Sequence, residues 1–179
     1  MYKRQGYVEE TGAAQHFRDA RITTIYEGTT GIQANDLIGR KFINDNGSAM
    51  KELFSQIQRD VEISKLEDNL KTELNQAIEK GRNVSEFILE NTLKDPNLAG
   101  ASSYNFLMMM GYLVGGWIAS RNITAAKNML KENDDVEFCN AKIISSSFYI
   151  EQFLPLVTSY GNAVFHGSKS MMSMPDEQF

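Results

Sequence analysis

The residue whose type and setting most suggest chemistry is Glu27, a carboxylate that stands between an aromatic residue and a glycine. Gly28 adds no side chain and tolerates unusual backbone dihedral angles, so a turn here could direct the carboxylate into a cavity. In a dry cavity, lost hydration would raise the pKa of the carboxylate, which suits a general base near neutral pH. The competing interpretation is a surface acid at a helix start, where the helix dipole stabilises negative charge. The spacing alone leaves both interpretations open.

Two helical segments are expected to hold this acid in place. Thr29 or Thr30 can cap a helix that runs to about Phe42, because the apolar residues recur at helical spacing. Those residues are Ala34, Leu37, Ile38 and Phe42. On the other side, residues 8–18 are predicted to form a short helix, and Arg18 with Asp19 could form an ion pair or anchor the loop.

Residues 6 to 42 resemble the last part of the flavin-bound helical domain of the acyl-CoA dehydrogenases. The matching residues are Gly6-Tyr7 with Glu9 or Glu10, Arg18-Asp19-Ala20, Ile25-Tyr26-Glu27-Gly28-Thr29 and Ile32-Gln33. The resemblance implies that Glu27 removes the pro-R α-proton of an acyl-CoA thioester while the β-hydride goes to flavin N5. It also implies that the Glu27 N–H, with a flavin ribityl hydroxyl, polarises the thioester carbonyl.

The same resemblance assigns the residues around the base. Tyr26 and Gly28 are expected to contact the substrate, with Gly28 leaving room for the pantetheine arm. Thr29, Thr30 and Gly31 are expected to lie against FAD. Many relatives carry Gln or Glu at the position of Gly31, so any flavin contact at that position can come only from the backbone.

Composition limits the remaining possibilities. A net charge of -5 with no basic run argues against nucleic-acid binding. The single Cys139 cannot form an internal disulfide and has no nearby Cys or His partner, so we expect a reducing compartment and no metal site. No apolar signal core follows the first basic residues, and we expect a cytoplasmic protein.

A domain boundary is predicted at the turn Asn44-Asp45-Asn46-Gly47-Ser48. Residues 1–43 would be the end of the flavin-binding helical domain with the catalytic loop, and residues 47–179 a helical bundle. Within the bundle, the first helix starts near Ser48, and Gly81 is expected to end the next one. A separate helix would run from Val84 to Leu93.

Local sequence patterns also predict where the last helices of the bundle begin and end. Asp134 with Glu137 has the spacing of a capping box. The helix after it carries an apolar side, and Pro155 should kink or interrupt it. The residues of that side are Phe138, Ala141, Ile144 and Phe148, followed by Phe153 and Leu156.

Residues 98–120 contain no charged side chain and could cross a bilayer or form the buried central helix of a bundle. We favour the bundle, because Ser102, Ser103 and Asn105 dilute the span and no polybasic flank sets an orientation. Stable membrane insertion is therefore not expected.

The prediction is an all-α chain that resembles the larger bacterial acyl-CoA dehydrogenases with an extra C-terminal helical domain, such as the 3-methylmercaptopropionyl-CoA dehydrogenases. The five residues before Gly6 differ from the family. We therefore expect a truncated or misassembled reading frame whose product is inactive alone. The parent enzyme would be homo-oligomeric and would pass electrons from FAD to an electron-transferring flavoprotein. Two alternatives stay open, an acyl-CoA oxidase and a non-catalytic helical interaction or membrane-associated module.

Overall fold

The computed structural model describes residues 8–25, 28–132 and 135–178, and every regular element among them is helical. The α-helices are α1 (Ala13–Ile22), α2 (Thr30–Asn35), α3 (Ser48–Glu62), α4 (Asp68–Asn91), α5 (Leu98–Met129), α6 (Val136–Gln152) and α7 (Leu156–Phe165). A π-helical segment, Asp36–Ile43, follows α2, and three 3-10 turns occupy Glu9–Thr11, Leu130–Glu132 and Asp176–Gln178. The predicted all-α class is confirmed.

The chain packs as two compact units, one up to Gln33 and one from Ala34 onward. In the first unit, the expected single helix over residues 8–18 is interrupted at Gly12. This residue has φ 72° and ends the 3-10 turn by donating its N–H to the carbonyl of Glu9. Helix α1 begins after it. The division of the chain at residues 44–48 stays a prediction.

Helix α5 is the centre of the second unit and packs against α4, α6, α7 and the π segment. Phe106, Met109, Leu113 and Ile123 are all buried in the core. At the π segment, the rings of Phe42 and Phe106 lie 5.0 Å apart between centroids. The absence of charge over residues 98–120 thus reflects burial around most of the helix. None of the helices in the described ranges combines the length and apolarity needed to cross a membrane.

Helix α4 corrects one prediction, because it runs through Gly81 without a break. A Cβ at that position would lie 2.8 Å from Cε1 of Phe54 and 2.9 Å from Cδ1 of Leu113. Glycine is present because α3 and α5 approach α4 closely at this point. The prediction that Gly81 ends a helix was wrong. In the sequence, a glycine required by close helix packing cannot be distinguished from a glycine that ends a helix.

The predicted turn between the π segment and α3 is confirmed. The carboxylate of Asp45 accepts hydrogen bonds from the N–H groups of Gly47 and Ala49, each at 2.9 Å. Gly47 has φ 71° and donates its N–H to the carbonyl of Phe42 at 2.9 Å. A side chain at Gly47 would be strained by this φ. It would also meet Cδ1 of Leu89 at 2.9 Å.

Helix α6 also differs from expectation at its start. Asp134 lies outside the described residues, and the observed N-cap is Asp135, whose carboxylate accepts from the N–H of Phe138 at 3.3 Å. Pro155 follows the end of α6 and occupies the N-cap position of α7, so the predicted interruption is confirmed.

The apolar side of α6 does not form part of the core. Phe138, Ile144 and Phe148 are 52%, 71% and 55% exposed, whereas Cys139, Ser146 and Ile150 are buried. This helix carries apolar residues on two faces, and it packs against α5 and α4.

Candidate functional site

The glycine after the predicted base adopts a conformation that favours glycine. Gly28 has φ 87°, in the left-handed region that side chains rarely enter. The nearest side-chain atoms to a Cβ built there are those of Ile32 at 3.9 Å, so space does not exclude a side chain. The backbone conformation is therefore the reason for glycine at this position.

Thr29 starts the helix that follows. Its hydroxyl oxygen accepts from the N–H of Ile32 at 3.4 Å, and its carbonyl accepts from the N–H of Gln33 at 3.1 Å. Of the two threonines proposed as the cap, Thr29 thus has this role, and Thr30 is the first residue of α2. The bond is long, so it orders the first turn without holding it rigidly.

Backbone and hydroxyl hydrogen bonds also order the chain that precedes the predicted base. The N–H groups of Thr24 and Ile25 donate to the carbonyls of Arg21 and Ile22, at 3.3 and 3.0 Å. The hydroxyls of Thr23 and Thr24 donate back to the carbonyls of Ala20 and Arg21, at 2.7 and 2.9 Å. A hydrogen-bonded turn therefore ends at Ile25, two residues before Glu27 in sequence.

Glu27 and Tyr26 themselves lie outside the described residues. Their predicted roles as general base and substrate contact stay predictions. The described backbone on both sides is hydrogen-bonded, from α1 through Ile25 and again from Thr29 onward.

Arg18 has a partner that sequence reasoning did not assign to it. Its guanidinium lies 3.3 Å from the carboxylate of Glu9 and donates to the side-chain carbonyl of Gln15 at 3.0 Å. Asp19 instead accepts from the side-chain amide of Gln15 at 2.7 Å. The predicted Arg18–Asp19 pair is not formed, because both residues point toward the preceding turn of α1. Arg18 thus links α1 to the 3-10 turn before it.

Gly31 is not required by the backbone or by packing. It has no positive φ, and a Cβ would find its nearest neighbour, the Thr29 hydroxyl oxygen, at 3.9 Å. The residues from Gly28 to Gly31 are exposed, as are the apolar side chains of Ile25 and Ile32. The turn therefore presents threonine hydroxyls, open backbone and apolar side chains on its surface.

The turn offers a hydroxyl donor and unobstructed backbone to an organic ligand. The Thr29 hydroxyl accepts from Ile32 and keeps its own hydrogen for donation, and Gly31 places no side chain in the way of a planar ring. Within residues 8–25, 28–132 and 135–178, no three His, Cys, Asp or Glu residues are grouped as a metal site requires.

The fold and the turn define a class, namely an all-α chain in which a turn with glycine at position 28 precedes a helical bundle. Two family models match it in that order. "Acyl-CoA dehydrogenase, C-terminal domain" matches residues 4–42, and "Acetyl-CoA dehydrogenase C-terminal like" matches residues 50–175. The chain belongs to the acyl-CoA dehydrogenase C-terminal family.

Curated relatives agree with this assignment. The 3-methylmercaptopropionyl-CoA dehydrogenase of Ruegeria pomeroyi is 39% identical over 153 residues, which are 83% of this chain and 26% of the relative. The broad-specificity linear acyl-CoA dehydrogenase FadE5 of Mycobacterium tuberculosis is 30% identical, over 97% of this chain and 30% of the relative. The bovine mitochondrial short-chain specific acyl-CoA dehydrogenase is 68% identical, but over only 28 residues.

The chain spans between a quarter and a third of the length of the two bacterial relatives. The two family matches end and begin on either side of the Asp45 turn. The resemblance drawn from residues 6–42 is therefore confirmed at the level of the family.

Proposed function

We propose that this chain carries the catalytic loop and C-terminal helical extension of an FAD-dependent acyl-CoA dehydrogenase. Such an enzyme introduces a double bond between the α- and β-carbons of an acyl-CoA thioester. The observation that supports the proposal is the pair of family matches, which follow one another along this chain at residues 4–42 and 50–175. The names of the bacterial relatives support an acyl-CoA substrate.

In this proposal Glu27 is the general base that takes the α-proton. Its backbone N–H donates to the thioester carbonyl, which makes that proton more acidic. Tyr26 lies beside the substrate, and Gly28 leaves space for the pantetheine arm. The conformation of Gly28 supports this role, because its φ of 87° keeps a side chain out of the loop.

FAD fits the turn that follows. Thr29 and Thr30 would border it with their hydroxyls, and Gly31 would approach it with backbone alone. Bound FAD supplies the acceptor for the β-hydride. The residues of this chain would then order the loop, hold the proton taken from the substrate and exclude water from the carboxylate.

The partners follow from the same proposal. Reduced enzyme would transfer electrons to an electron-transferring flavoprotein, and the protein would act as a homo-oligomer. An acyl-CoA oxidase would use the same base but pass its electrons to oxygen. Reoxidation that requires the carrier protein would distinguish the dehydrogenase from the oxidase.

The test is a chimera in which residues 8–178 replace the matching segment of the Ruegeria pomeroyi relative. We expect the chimera to bind FAD and to be reduced by an acyl-CoA. As a matched control, a second chimera would carry only residues 48–178, which keeps the extension of this chain with the catalytic loop of the relative. If the control is reduced by acyl-CoA and the full chimera binds FAD without reduction, the loop of this chain is not a catalytic loop.

A further inference from the structure

A cleft of about 250 Å³ lies between α3 and α4 in the second unit. Its floor is apolar and formed by Phe42, Met50, Phe54 and Leu89. Sites for drug-sized ligands usually enclose roughly 300–1,000 Å³. This cleft could therefore hold a smaller molecule with an apolar portion.

Two cations stand at the walls of the cleft, Lys51 from α3 and Arg82 from α4. The guanidinium carbon of Arg82 lies 5.7 Å from the centroid of the Phe54 ring, which is within the range of a cation–π contact with the floor. Glu86 also lines the cleft. In the described part of the chain, however, neither cation forms an ion pair with a carboxylate. Two cations thus face one acid, and the charge of the cleft favours an anion.

The hydroxyls of the cleft are already used. Ser55 donates to the carbonyl of Lys51 and Ser85 to that of Gly81, each at 2.8 Å. This leaves Lys51 and Arg82 as the donors for a ligand. The N–H groups of a guanidinium lie in one plane, and two of them can bind both oxygens of a carboxylate.

We propose that this cleft binds a small aliphatic carboxylate. The carboxylate would pair with Arg82 and Lys51, and the aliphatic chain would cover the floor that Phe54 and Leu89 form. An inorganic anion would leave the apolar floor exposed to water, and an alcohol of the same length would leave both cations unpaired. The combination of charge and chain therefore defines the ligand class.

The test is a titration of the 179-residue chain with octanoate, followed by amide chemical shifts and by calorimetry. Saturable binding should shift the amide signals of Gly47 and Leu89. Acetate, inorganic phosphate and octanol should each bind at least tenfold more weakly, because each lacks either the chain or the charge. Equal affinity for octanol and octanoate, or for phosphate and octanoate, would overturn the proposal.

Variants complete the test. Arg82→Gln should weaken octanoate binding at least tenfold, and Lys51→Gln should weaken it to a smaller extent. Arg59→Gln on the exposed side of α3 is the matched control and should bind like the parent chain. Circular dichroism checks that each variant is folded. Unchanged affinity in folded Arg82→Gln, or in folded Lys51→Gln if Arg82→Gln does not fold, would show that the cleft does not recognise the carboxylate.

Discussion

The indole N–H of Trp117 donates to the carboxylate of Asp60 across 2.8 Å, joining the central helix α5 to α3. Trp117 is 9% exposed and is part of the core. The guanidinium of Arg121 lies 5.5 Å from the indole ring and 4.0 Å from the same carboxylate. One acid thus satisfies a buried donor and holds a cation over the ring.

Asp60→Ala should destabilise the chain by about 1–3 kcal/mol, because it leaves the indole N–H buried without an acceptor. Asp60→Asn keeps an oxygen at this position and should cost less. The free energy of unfolding in urea, followed by circular dichroism, measures both effects. Glu52→Ala, an exposed acid on the same helix, is the control. Equal stability of Asp60→Ala and Glu52→Ala would mean that the hydrogen bond contributes nothing.

Two glycines in helix interiors should respond to alanine in opposite directions. Gly81→Ala should destabilise by about 1–3 kcal/mol, since the new methyl group overlaps Phe54 and Leu113. Gly111→Ala in α5 has no atom within 4 Å of the new Cβ. It should stabilise by about 0.4–1 kcal/mol, because alanine restricts the unfolded chain. Thermal or urea unfolding measures both. A stabilised Gly81→Ala variant would contradict the close packing of α3, α4 and α5.

Ser168→Ala should change the titration of Asp95. The hydroxyl of Ser168 donates to the Asp95 carboxylate at 2.6 Å, and this bond is the main reason that the pKa of Asp95 is lowered below its ordinary 3.8. A carboxyl with a lowered pKa stabilises the folded state above pH 3.8, and this contribution is lost as the pH falls through the folded pKa. Removing the hydroxyl should move the pKa back toward 3.8.

The carboxyl carbon shift of Asp95, followed by NMR against pH, measures that change. The stability difference between parent and Ser168→Ala should be present at neutral pH and shrink in acid. Ser170→Ala, whose side chain is exposed, serves as the control. An Asp95 midpoint that stays the same in Ser168→Ala would assign the low pKa to the backbone N–H groups instead.

In the active chimera, Glu27→Gln should abolish flavin reduction while leaving acyl-CoA affinity nearly unchanged. The substitution keeps the size of the side chain but removes the group that accepts the proton. General-base catalysis contributes about a hundred- to ten-thousand-fold, and the loss should fall at or beyond the upper end. Single-turnover reduction and equilibrium binding separate the two effects. Glu10→Gln is the control, and rapid reduction in Glu27→Gln would show that another group is the base.

Local chemistry explains what could be predicted from sequence. The Asp45–Gly47 turn, the interruption at Pro155 and the cap at Thr29 each depend on residues within a few positions of one another. The family was recognised from the resemblance of residues 6–42, and the family matches confirm it. In the turn, the interruption and the cap, side-chain hydrogen bonds and backbone preferences act within one turn of chain. The local sequence is therefore enough to predict these three features.

Tertiary packing decided the rest. Position 81 in the interior of α4 holds a glycine because Phe54 and Leu113, which are distant in sequence, leave no room for a methyl group there. The face of α6 that is buried is the one with Cys139 and Ile150, since neighbouring helices cover that side. The cleft under Arg82 likewise exists only where α3 meets α4. Sequence periodicity identifies an apolar face, but contacts between helices determine which face is covered and where a cavity remains.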